Sequence, residues 1–188
     1  MTRKRKPGGR LWAALGAALC LTGAVQGTLA AQDAPPAPTR DDLLQAAREI
    51  IGAARFCALV TLDSAGRLQA RAIDAFAPDS DLVVRIGTNR RTRKVAEIAR
   101  DPRVTLYYFH APSASYVTLQ GRARVVTDTA DTRRYWKPEW EAFYPDREAD
   151  YVLIAVTPER LEVVSEARGI GGDSRTWRPP AVEFDTGR

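Results

Sequence analysis

Thr92-Arg93-Lys94-Val95-Ala96-Glu97-Ile98-Ala99-Arg100-Asp101-Pro102-Arg103-Val104-Thr105-Leu106 changes its period half-way along. From Arg91 to Arg100 the spacing is helical, with Val95, Ile98 and Ala99 on one face and Thr92 placed to cap the start. Asp101-Pro102 stops the helix, because proline has no N–H to donate and restricts the residue before it. Val104 to Phe109 is then β-branched and aromatic, a strand composition. One short helix therefore feeds directly into a strand, and the segments on either side show what that strand joins.

Upstream, Asp41 to Ala54 carries Leu43, Leu44, Ala47, Ile50, Ile51 and Ala54 at helical spacing, with Thr39 or Asp41 available as cap. Phe56 to Leu62 reads as a strand, Asp63-Ser64-Ala65-Gly66 as a turn and Arg67 to Phe76 as the returning strand of a hairpin. Pro78 to Asp81 is a second turn, and Leu82 to Gly87 a third strand. Downstream, Ser115 to Thr127 is a long strand with a bend expected at Gly121. Asp131 to Phe143 reads as a helix holding Trp136 and Trp140, interrupted by Pro138. Tyr151 to Thr157 is a strand, Pro158 a turn, Leu161 to Ser165 a further strand, Gly169 to Asp173 a loop and Val182 to Phe184 a last short strand. Six or seven strands joined mostly by hairpins, with few and short helices, favour a mainly β, α+β fold: an antiparallel sheet or small barrel, not a doubly wound parallel one.

The first thirty residues read as a cleavable signal peptide. Arg3, Lys4, Arg5, Lys6 and Arg10 are followed by a mostly apolar run from Leu11 to Val25, and Thr28-Leu29-Ala30 sets up cleavage after Ala30. That run is short of the roughly 20 residues a helix needs to cross a bilayer; the alternative is an uncleaved anchor. The expectation is a periplasmic or secreted protein with no membrane span after cleavage. Residues 31–40, including Ala34-Pro35-Pro36-Ala37-Pro38, form a Pro/Ala-rich spacer, and 41–188 one domain.

Cleavage changes the charge argument. The chain has 28 Lys+Arg against 23 Asp+Glu, but Met1 to Ala30 holds five of the bases and no acid, so the remainder is balanced. A general nucleic-acid binder needs a surplus of positive charge, so nucleic acid is not an expected partner. Cys57 is the one cysteine left, in an apolar run, which excludes an internal disulfide and reads as a buried thiol. The single histidine, His110, reads as a strand-end residue, and with one His and one Cys no zinc site is expected. No P-loop or calcium loop is present, so no metal is expected. The glycine-rich Arg168 to Asp173 does not lie between a strand and a helix, and reads as a plain loop.

What remains is Thr88-Asn89-Arg90-Arg91-Thr92-Arg93-Lys94, a basic segment that follows a strand and opens a helix. A phosphate there would meet unpaired backbone N–H groups, the positive end of the helix dipole and several cations. The plainer alternative is a solvated charge run, and the residues alone leave both open. Arg71, an arginine within a strand-like segment, either faces solvent or reaches an anion.

The same stretch, with its Thr-Arg-Lys opening and its Asp-Pro-x-Val exit, resembles the helix-to-strand passage of the pyridoxamine 5'-phosphate oxidase-like, FMN-binding split-barrel family. Ala58 to Asp63, Gly66 and Arg71 resemble that family's first hairpin, and Tyr116 to Ala123 its Val-x-x-x-Gly-x-Ala strand. Trp136, Phe143 and Tyr151 to Val156 look like the general stress protein branch. The resemblance implies an antiparallel split β-barrel, a homodimer, and FMN (or a deazaflavin or other flavin) as cofactor. By position, Arg71, Arg93 and Lys94 would hold the phosphate, Ala72 and Ile73 would lie along the flavin through their backbone, and Gly87 and Thr88 would help close the site. Two departures point away from pyridoxamine phosphate as substrate. Tyr116 stands where true pyridoxamine phosphate oxidases have glutamine, and their C-terminal Arg-Leu-His motif is absent. The resulting expectation is an exported FMN-binding oxidoreductase of unassigned substrate, with no catalytic side chain evident. The alternatives are a non-catalytic binder or carrier of flavin or another small anionic ligand, and a ligand-free dimer.

Overall fold

A computed structural model describes residues 37–185; the expected signal peptide and most of the spacer lie outside them. Helix α1 (Arg40–Ala54) begins at Thr39, whose hydroxyl accepts from the Asp42 N–H while the Asp42 carboxylate accepts from the Thr39 N–H. This reciprocal cap sets the start of the helix. Leu43, Ala46, Ala47, Ile50 and Ile51 then face the core. Strands β1 (Cys57–Leu62) and β2 (Leu68–Ile73) form the first hairpin, followed by β3 (Val84–Asn89), α2 (Arg93–Arg100), β4 (Arg103–His110) and β5 (Ser115–Val126). After α3 (Thr129–Arg134), a 3-10 segment (Pro138–Phe143) and the single turn α4 (Arg147–Asp150), β6 (Tyr151–Val164) and β7 (Ala181–Glu183) complete the chain.

The sheet runs β2-β1-β4-β5-β6-β3, with β7 also on β6, and every pairing is antiparallel. It curls so far that its two end strands approach: the Phe76 N–H, just beyond β2, donates to the Arg85 carbonyl of β3 at 2.9 Å. The barrel is stitched there and split elsewhere, as the split-barrel expectation requires. Leu59, Leu106, Val117, Leu119 and Leu161 project inward to meet α1 and Ile98 of α2. Each such fully buried leucine contributes roughly 1.5–3 kcal/mol.

Three local expectations change. The helix expected over Asp131–Phe143 is two pieces, because Pro138 takes the first turn of a new 3-10 segment and cannot continue the old helix. Pro158 is not a turn: β6 runs through it, because it sits at a register shift opposite Gly121, where a strand tolerates a residue without an N–H. A side chain at Gly121 would collide with the Thr157 carbonyl oxygen, so glycine is needed opposite the bulge. Finally, β2 stops at Ile73, not at Phe76, where the chain leaves β1 to reach β3.

Candidate functional site

Helix α2 bridges the split. It starts where β3 ends and sends Glu97 back to the β1–β2 hairpin. Glu97 is only 2 % exposed. Its Oε2 accepts from the Thr61 hydroxyl at 2.6 Å and from the Arg71 guanidinium at 2.8 Å, while Arg71 also donates to Thr61 Oγ1 at 2.5 Å. Arg93 Nε stands 3.1 Å from Glu97 Oε1, off the line of a directed hydrogen bond. Burial would raise the Glu97 carboxyl, but the bonds from Thr61 and Arg71 and the charges of Arg71 and Arg93 outweigh it, and the group is held below the usual range. The charged form is therefore built into the fold.

Lys94, one residue on from Arg93, is half-buried and makes no ion pair among the described residues. Burial, and then the nearby Arg71 charge, hold its ammonium below the ordinary lysine range against the pull of Glu97. An anion would relieve both penalties. The N-terminus of α2 has no side-chain cap: the Thr92 hydroxyl donates to the Asn89 carbonyl and meets the Thr88 hydroxyl at 3.2 Å. Gly87, Thr88, Asn89, Thr92 and Lys94 line a cavity of about 430 Å³, whose other wall is Trp140, Phe143 and Tyr144. Trp140 and Tyr151 close directly over Gly87; a Cβ there would overlap the Trp140 ring and lie 2.5 Å from the Tyr151 hydroxyl oxygen. That hydroxyl is fixed by donating to the Tyr135 carbonyl.

Of the seven expected site residues, Gly87, Thr88 and Lys94 share this cavity, whereas Arg71 and Arg93 meet at Glu97, and none of these three lines it. Ala72 is exposed on β2 and Ile73 is buried in the core, and neither side chain lines the cavity. Among the described residues β2 pairs only with β1, and its other backbone edge along Ala72 and Ile73 has no partner strand there. Glu97 and Thr61 are not among the site residues expected from sequence. The helical face assigned to Val95, Ile98 and Ala99 is in fact rotated: Glu97 and Ile98 are buried and Ala99 is exposed. The signal for Glu97 was its i,i+4 spacing from Arg93 on a short amphipathic helix. His110 ends β4, with Nδ1 2.7 Å from the Ser113 hydroxyl, and takes no part in the cluster.

The sequence of residues 42–169 matches the family described as Pyridoxamine 5'-phosphate oxidase like. The chain belongs to this family. Solved structures agree with the assignment. A protein from Clostridium acetobutylicum related to general stress protein 26 superposes with a TM-score of 0.63 at 18% identity, covering 79% of this chain and 98% of that one. A pyridoxamine 5'-phosphate oxidase-related, FMN-binding protein from Nostoc punctiforme PCC 73102 gives 0.52 at 15% identity, covering 81% and 100%. An F420 reductase gives 0.51 at 21% identity, covering 61% and 94%. At these identities the likeness is one of fold. No curated protein matches the chain in sequence. Within the pyridoxamine 5'-phosphate oxidase-like family, then, this member has a Thr-Arg-Lys helix start and ties Arg71 and Arg93 to one buried carboxylate.

Proposed function

We propose that the protein is an exported, homodimeric flavoprotein that uses FMN as the redox centre of an oxidoreductase. The observation that carries the cofactor reading is Lys94. It is a half-buried cation without a partner among the described residues, beside an uncapped helix N-terminus and a cavity walled by three aromatic side chains. A phosphate suits the first two features and a planar ring the third. FMN-binding and F420-reducing proteins of the same fold support a flavin-type ligand. In this reading Lys94, the first amides of α2 and Arg93 receive the phosphate. Glu97 keeps Arg71 oriented at the rim, and the free edge of β2 at Ala72 and Ile73 offers backbone groups to the ring edge. When bound, the flavin supplies the electron-accepting chemistry, and the protein positions it and keeps water out. The dimer reading rests on the uncovered face of β4 and β5, where Tyr107 and Phe109 are exposed and Tyr107 packs on Tyr116 with ring centroids 5.6 Å apart. Export rests on the basic and apolar leader from Arg3 to Ala30.

The test is an absorption spectrum of protein produced from the full chain, before and after incubation with FMN and gel filtration. Flavin bands should co-elute with the wild type and be lost, at least tenfold, in Lys94→Ala. A protein that ignores FMN would sink the cofactor reading. Binding should plateau above about pH 6, where the phosphate is a dianion. It should weaken in alkali as Lys94 loses its proton, earlier than an ordinary lysine would. Mass spectrometry of the purified product checks cleavage after Ala30, and reoxidation cycles with an added electron donor separate an enzyme from a holder.

A further inference from the structure

A cavity of about 520 Å³ lies between the end of β3, α3 and α4. It shares no lining residue with the cavity at Lys94. Its lining is mostly polar and includes Arg90, Arg133, Arg147, Glu148, Thr127 and Thr129. Three cations therefore face one anion. Arg133 and Glu148 meet at 3.8 Å, both of them exposed, which leaves Arg90 and Arg147 without an ion pair among the described residues.

Arg147 is the group that recognises something here. It is half-buried, and its guanidinium is held from two sides: Cζ lies 4.1 Å from the centroid of the Trp136 ring, and Nη2 donates to the Thr132 carbonyl at 2.7 Å. That bond caps the C-terminal turn of α3, and it occupies one nitrogen. Nε and Nη1 make no hydrogen bond among the described residues, yet neither is sealed from solvent. Stacking on a ring leaves the in-plane N–H groups free, and a guanidinium already held in place loses little freedom on taking a carboxylate or phosphate. Arg90 is anchored through its backbone, whose N–H donates to the Asp150 carbonyl at 2.8 Å, while its side chain bonds to nothing among the described residues. The larger cavity beside Gly52, about 640 Å³ between α1 and the Asp74–Pro78 segment, is different. There Lys137 is paired with Asp74, and Arg48 is committed to the carbonyl oxygens of Asp79 and Ser80.

We infer that the cavity at Arg147 is a second binding site, for a small hydrophilic polyanion with carboxylate or phosphate heads. Arg147 receives one head through Nε and Nη1, Arg90 balances a second, and the Thr127 and Thr129 hydroxyls serve the polar body between them. This site does not depend on the flavin reading.

The test is isothermal titration calorimetry of protein produced from the full chain, at fixed ionic strength, with citrate and with pyrophosphate as probes. One equivalent of at least one probe should bind the wild type with a submillimolar Kd. Binding of citrate alone makes the heads carboxylates, binding of pyrophosphate alone makes them phosphates, and binding of both leaves charge and spacing as the selecting features. Arg147→Lys keeps the charge but loses the planar fork, and should bind at least tenfold more weakly. Arg90→Ala removes no bond of the fold, so it should melt like the wild type and bind several-fold more weakly. Lys94→Ala should bind like the wild type. No binding of either probe at millimolar concentration would overturn the proposal. So would undiminished binding by Arg147→Lys or by Arg90→Ala, or loss of binding in Lys94→Ala alone, which would put the probe in the other cavity.

Discussion

Gly87 and Gly52 each border a cavity, and each is glycine for a different reason. At Gly87 the space is already taken, because Trp140 and Tyr151 sit where a side chain would go. At Gly52 the space is empty, and the helix would be more stable with any ordinary residue. The surrounding polar groups differ in their charge pairing. Around α2, Glu97 Oε2 accepts from Thr61 and Arg71, while its buried Oε1 has only the Arg93 charge beside it. Around α1, the Tyr108 hydroxyl has no partner and Arg55 pairs with no carboxylate among the described residues. Each region keeps one buried polar atom without a hydrogen bond, Glu97 Oε1 beside α2 and the Tyr108 hydroxyl beside α1; only the first has ion pairs around it, from Arg71 and Arg93.

The sharpest way to break this contrast is Glu97→Ala. It strands Arg71 beside a desolvated Thr61 and should cost about 3 kcal/mol in urea unfolding. A loss below about 1 kcal/mol would show that the Glu97 cluster is not what holds α2 to the hairpin. Glu97→Gln keeps an acceptor and removes the charge, so its deficit should depend on pH. The Glu97 carboxyl is lowered in the folded state. Its contribution is therefore complete above the unfolded-state value, about 4.3, and lost as pH falls through the folded one. The gap between wild type and Glu97→Gln should narrow below pH 4, and a gap unchanged between pH 7 and pH 3 would contradict the pairing. Next in size is Gly87→Ala, which must displace the Trp140 and Tyr151 rings and should cost about 2 kcal/mol. Its far-UV circular dichroism should stay native while tryptophan fluorescence shifts. The smallest expected effect has the opposite sign: Gly52→Ala should raise the unfolding free energy by up to about 1 kcal/mol. A destabilised Gly52→Ala would mean that some unseen contact, and not an open cavity, demands the glycine.

The barrel was legible wherever its pattern is local. The capped α1, the Asp63–Gly66 hairpin and the passage from α2 through Asp101-Pro102 into β4 each carry their signal within a few residues. Pro158 misled because what excuses it is Gly121, which becomes its neighbour only when β5 and β6 pair. The cations of the candidate site were legible for the same local reason, standing together at a helix start. Glu97 was not, since the partner that draws it inward is Arg71, 26 positions upstream, and helical periodicity alone gives the buried face to the apolar Ala99. The cavity beside Gly52 had no sequence signature at all, because an unfilled volume is a property of separate segments meeting.

The sheet order also fixes when in folding the molecule becomes competent. Hairpins β1–β2 and β4–β5 close between near neighbours in the chain, but Val84 of β3 waits for Val156. Such distant pairings are slow because a long loop must be closed before any bond repays it. β3 gains its strand partner only when β6 is in place, so the candidate cofactor site, which is built on the end of β3, is complete only in the finished barrel. A ligand held there binds the finished barrel alone and acts as a clasp, slowing its reopening and raising its melting temperature in step with ligand concentration.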